Sequence, residues 1–87
     1  MREYVLYPDF NHDDFYYLEG DSFRDAALQW AKSEDRDGNC IEGGGVILMV
    51  HSMDEPEDWV KFWVHGKIEE GRVYFAEEIF RNKVGER

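Results

Sequence analysis

An 87-residue chain with a formal charge of −10, 43% hydrophobic and 16% aromatic, has the composition of one small folded domain and not of a disordered acidic tail. The sign of the charge excludes direct binding to nucleic acid or to an anionic membrane surface, because either contact draws on cations supplied by the protein. The longest apolar run, Val46 to Val50, is too short to span a bilayer.

Residues 2–8 (Arg-Glu-Tyr-Val-Leu-Tyr-Pro) are rich in strand formers and end at a proline, which predicts a first strand. Residues 9–14 read as a polar turn. Phe15 to Leu18 reads as a second strand closed by Glu19-Gly20, so the two strands are expected to pair as a hairpin. The helix that follows has the clearest signature. Asp21 or Ser22 caps its start, with Ser22-x-x-Asp25 close to a capping box. Phe23, Ala26, Ala27, Trp30 and Ala31 fall on one stripe at helical period, and Gly38 is the expected stop. The loop over 34–45 ends in Gly43-Gly44-Gly45, three residues expected to lend freedom to the chain more than a set turn.

Val46 to His51 is apolar on both alternating faces, the pattern of a central strand. Ser52 to Asp58, with Pro56 and four acids, reads as a turn. Trp59 to His65 then alternates, with Val60, Phe62 and Val64 on one face and Trp59, Lys61, Trp63 and His65 on the other. Arg72 to Ala76 predicts a last strand. Residues 76–83 fit a short helix equally well, since Ala76, Ile79, Phe80 and Lys83 sit at helical spacing. The expected fold is α+β: a single domain over 1–87, with an antiparallel sheet of four to five strands and one helix packed on one face, in the order β-β-α-β-β-β.

Catalytic chemistry finds little support. Asp35-Arg36-Asp37-Gly38-Asn39 starts like a calcium loop, but Cys40 stands where that loop needs its glycine and Val46 where it needs a bidentate Glu. His12, His51 and His65 lack metal-ligand spacing, and Cys40 is the single thiol, best read as a small packed hydrophobe. A lone Cys forms no intrachain disulfide and favours a reducing compartment. Met1 to Val5 opens no long apolar stretch, so no secretory signal is expected and a cytoplasmic location is. The acid pairs Asp13-Asp14, Glu69-Glu70 and Glu77-Glu78 do not by themselves face each other across a cleft. No phosphate loop or nucleophile–base pattern accompanies them. The expectation is therefore a non-enzyme without cofactor or metal.

The charge is unevenly spread. Residues 1–58 hold fifteen acids and four bases, whereas residues 59–87 hold five acids and six bases. Three loops carry the excess: Asp9, Asp13 and Asp14; Glu34, Asp35, Asp37 and Glu42; and Asp54, Glu55, Glu57 and Asp58. If these loops converge at one end of the sheet, eleven carboxylates form a surface for a basic partner. Most of the aromatic residues are needed for the core, while Tyr16, Trp59 and Trp63 are candidates for exposed anchors in an interface.

A short β-rich start, the capped helix Asp21-Ser22-Phe23-Arg24-Asp25-Ala26-Ala27, a sheet after it and a strongly acidic balance together resemble the small phage-encoded anti-CRISPR and anti-defence proteins. The likeness covers the whole chain in general type, without a shared motif. It implies an acidic inhibitor in the host cytosol, a DNA mimic that occupies a basic channel where an RNA-guided complex reads its target. A restriction enzyme, a polymerase or a toxin offers the same kind of basic protein or ribonucleoprotein surface. Such a binder is expected as a monomer or as a homodimer formed through an uncovered sheet edge or face.

Overall fold

A computed structural model describes residues 1–35 and 38–82. Five strands and one helix appear in the order β1 (Arg2–Pro8), β2 (Tyr16–Gly20), α1 (Phe23–Glu34), β3 (Val46–Ser52), β4 (Trp59–Ile68) and β5 (Arg72–Asn82). They form one antiparallel sheet, ordered β2-β1-β3-β4-β5, and the expected α+β class and element order hold.

The apolar run of β3 makes it the middle strand, alternating buried and half-buried along its whole length. Its Val46, Leu48 and Val50 join Tyr4 and Leu6 of β1 and Val60, Phe62 and Val64 of β4 in a continuous core on one face. Helix α1 covers that face with Ala26, Ala27, Trp30 and Ala31, the stripe read from the sequence. The two alanines let the helix backbone approach the sheet, and Trp30 fills the remaining gap. Truncating so buried a Trp typically costs about 3–5 kcal/mol.

The ends of α1 follow from local hydrogen bonding. Ser22 is extended and its side chain accepts from the Asp25 N–H at 3.0 Å. Asp25 reaches back to the N–H of Asp21 at 3.0 Å, one residue earlier than a standard capping box would place it. The helix ends at Glu34 with Asp35 as C-cap, ahead of the expected stop at Gly38. Two long side chains tie the helix across the sheet: Gln29 donates to the Glu19 carbonyl of β2, and Arg24 to the Ala76 carbonyl of β5.

The last strand corrects the helical alternative for residues 76–83. Pairing with β4 continues to Asn82, and Lys83 lies outside the described residues. The register slips at Lys61/Phe62, which face Phe80 and Glu78, so Ile79 is the extra residue of a β-bulge. The bulge moves Phe80 from the helix side to the opposite face, where its ring meets Trp59 at 5.3 Å. One inserted residue in a period-2 pattern yields spacings of three and four, which is why the sequence mimics a helix turn.

Candidate binding surface

Strand directions decide which acidic loops meet. β1 runs toward Pro8 and β3 starts beside it at Val46, so the 9–15 loop and the 35–45 loop share one end of the sheet. The Asp9 N–H donates to the Ile47 carbonyl at 2.8 Å, and a cavity of about 400 Å³ is lined by Asp9 and Phe10 from one loop and Asn39, Gly43 and Gly45 from the other. The hairpin turn between β3 and β4 lies at the opposite end, a seven-residue strand away. At about 3.3 Å per residue that is roughly 20 Å. Asp54, Glu55, Glu57 and Asp58 therefore do not join the other acids, and the expected convergence of three loops is corrected to two.

Both loops at the shared end are held by internal hydrogen bonds. Asn11 accepts from the Asp13 N–H at 3.2 Å through its side chain and from the Asp14 N–H through its carbonyl. Asp14 accepts from the Tyr16 hydroxyl at 2.9 Å. In the second loop Gly38 takes a left-handed φ of 74°, and its carbonyl accepts from the N–H groups of Ile41 and Glu42. The three glycines adopt a definite turn and are not merely loose. Gly44 and Gly45 have φ of 84° and 99°, and the Gly44 carbonyl accepts from the Trp63 indole at 2.9 Å.

Asp9, Asp13, Asp14 and Glu42 are exposed at this end, and Glu34 is half-buried. Among the described residues the close acid–base contacts are His12–Asp9 at 3.6 Å, His65–Glu77, Lys67–Glu69 and Arg81–Glu78, so none of these five acids is paired with a Lys or Arg, although the Arg72 charge acts on Glu42 from a distance. Asp35 departs from the expectation. It is only 6% exposed, and its two carboxylate oxygens accept from the Cys40 N–H and the Tyr74 hydroxyl, each at 3.0 Å. Arg72 donates to its carbonyl oxygen at 2.6 Å. Asp35 thus anchors the loop to β5 and presents no carboxylate to a partner. Asp37 lies outside the described residues.

The aromatic candidates divide between the two faces. Tyr16 pairs with Leu6 in register, which sets it on the helix side, half-buried with its ring 6.0 Å from Trp30. Its neighbour Tyr17, 67% exposed, is the ring that faces outward instead. A one-residue difference in strand position exchanges the two faces. Trp59 and Trp63 do lie on the face away from the helix. Trp63 stacks on His65 with centroids 3.9 Å apart, and His65 on Phe75 at 5.4 Å. The exposed rings there include Phe75 and Phe80, neither of which the alternation of a short final strand had marked out.

Cys40 is fully buried, and its thiol is pushed up to about 12, by desolvation first and then by the neighbouring Asp35. A protonated thiol is a poor nucleophile and a poor ligand. Among the described residues no three His, Cys, Asp or Glu side chains gather as a metal site, and no helix is long and apolar enough to cross a membrane. Sequence reasoning missed Phe10, 76% exposed in the middle of the acidic loop, and the part played by Trp30 below it. An apolar ring among Asp9, Asn11, His12 and Asp13 was the available signal.

No known protein family, curated protein or solved structure matches the chain.

Proposed function

We propose that this chain is a non-enzymatic binding protein whose acidic loop end occupies a basic surface on a nucleic-acid-handling protein or ribonucleoprotein, in competition with nucleic acid. The observation that carries the reading is the meeting of the 9–15 and 35–45 loops, with Asp9, Asp13, Asp14, Glu34 and Glu42 at one end and no Lys or Arg paired with them among the described residues. Carboxylates mounted on hydrogen-bonded loops present negative charge at fixed spacing, as a phosphate backbone does. Such a surface speeds encounter with Lys and Arg and selects a cationic partner. The likeness in general type to anti-CRISPR proteins makes an RNA-guided effector the first partner to test, ahead of a restriction enzyme, a polymerase or a toxin.

A tagged copy expressed in the host, followed by release of the captured protein with duplex DNA, tests the proposal. The expected partner is a nucleic-acid-binding protein that DNA displaces, with affinity falling as salt rises. Asp9→Lys combined with Asp13→Lys is expected to weaken binding about tenfold or more at unchanged melting temperature. A partner that DNA leaves in place, or an unchanged affinity in the double variant, would overturn it.

A further inference from the structure

Between the C-terminal end of α1 and the first loop lies a second cavity, of about 160 Å³. Its walls include the rings of Phe10, Tyr16 and Trp30 together with the acidic residues Asp14, Glu34 and Asp35. We infer that this cavity receives one arginine side chain from the partner, an inference that rests on the basic-partner reading above and names the group the partner inserts.

Size narrows the occupant first. Small-molecule sites usually measure about 300–1,000 Å³, so a space of this volume suits a single side chain and not a nucleotide or a metabolite. Charge decides next. The Asp14 and Glu34 carboxylates have no Lys or Arg partner among the described residues, and the Tyr16 hydroxyl holds Asp14 in place. Asp35 adds little, because its own oxygens are engaged and the Arg72 charge offsets it. An anion would be repelled, and an apolar group would strip water from the carboxylates with nothing in return. A bare metal ion finds no cluster of three ligands among the described residues.

The remaining class is an organic cation, and the aromatic walls favour a planar one. A guanidinium stacks on rings and meets two carboxylates with several donors at once, whereas an ammonium acts as a point charge. A separate observation comes from Trp30. The residue is 6% exposed, and its indole N–H has no acceptor among the described residues. Buried N–H groups are nearly always paired. An arginine entering from a polypeptide brings main-chain carbonyls along with its guanidinium, so one inserted segment offers a cation for the carboxylates and an acceptor for the indole. Phe10, exposed at the rim and shared with the larger neighbouring cavity, is placed to fold over the entering side chain.

The test titrates the intact protein with N-acetyl-arginine amide and, separately, with its neutral isostere N-acetyl-citrulline amide, followed by assigned ¹H–¹⁵N spectra. The arginine probe is expected to shift the Trp30 indole signal and the Phe10 amide saturably, and the citrulline probe is expected to leave both in place. Asp14→Asn combined with Glu34→Gln, folded by the same spectra, is expected to bind about tenfold more weakly. A silent Trp30 indole, an equal response to citrulline, or undiminished binding in the double variant would overturn the inference. If the cavity stays silent while a DNA-displaceable partner is still captured, only the arginine pocket falls. If arginine amide binds and no nucleic-acid-binding partner is captured, the pocket stands and the partner class falls.

Discussion

Asp35 shows how one residue changes meaning between a sequence and a fold. It sits in a run of charges after a helix, where solvated carboxylates are the common case. Folding instead buries it between the Cys40 N–H and the Tyr74 hydroxyl, a short link from the loop to β5. Its burial also shapes the titration of its neighbours. The Cys40 thiol is raised from 9.0 to about 12, mainly by desolvation and further by Asp35, and the Tyr74 hydroxyl is raised mainly by desolvation. A group that holds its proton more tightly when folded contributes stability that is complete below its unfolded pKa and is lost as pH climbs toward the folded one. For Cys40, stability should therefore decline between about pH 9 and about pH 12, with a limiting slope near 1.4 kcal/mol per pH unit. Urea unfolding across that window should give a shallower decline for Cys40→Ala than for the parent. Equal slopes would show that the thiol takes no part.

At the scale of elements, the turn into β3 and the bulge in β5 do most to place side chains. Gly45 has φ of 99°, and a Cβ there would run into the Trp63 indole and come within 2.9 Å of the Val64 carbonyl. Gly44 has φ of 84° with nothing near its missing side chain. Both positions lie in the left-handed region, which costs an L-residue about 1–2 kcal/mol. Gly45→Ala should therefore lose more stability than Gly44→Ala, by about 1 kcal/mol or more in chemical denaturation, because only the first adds a steric collision. Equal losses would mean that Trp63 yields freely. The helix, the β1–β2 hairpin and the β3–β4 hairpin were all legible in the sequence, since each rests on a local period and a local turn. The bulged half of β5 was not, because a single inserted residue breaks the period that reveals a strand.

The acidic loops lie at two ends of the sheet about one strand length apart, with an aromatic face between them. That separation lowers the repulsion that eleven clustered carboxylates would have faced, yet a formal charge of −10 on 87 residues still opposes compaction. Screening lengths fall from about 30 Å at 0.01 M salt to about 10 Å at 0.1 M, across the dimensions of this sheet. Added salt over that range should raise the melting temperature by a few degrees, which calorimetry would read directly. A fall would mean that favourable ion pairs outweigh the self-repulsion. The same screening should weaken partner binding, so stability and affinity are expected to move in opposite directions with salt.

Periodicity alone settled the class of fold, the covered face of α1 and the central place of β3, because burial repeats at 3.6 residues on a helix and at two on a strand wherever either packs. Net charge alone is the basis on which a cationic partner is proposed. Which loops share an end, which of Tyr16 and Tyr17 faces the helix, and which acids remain in water were decided only by the tertiary structure. These depend on strand direction and register, which are set by hydrogen bonds between residues far apart in the chain, and no local pattern encodes them.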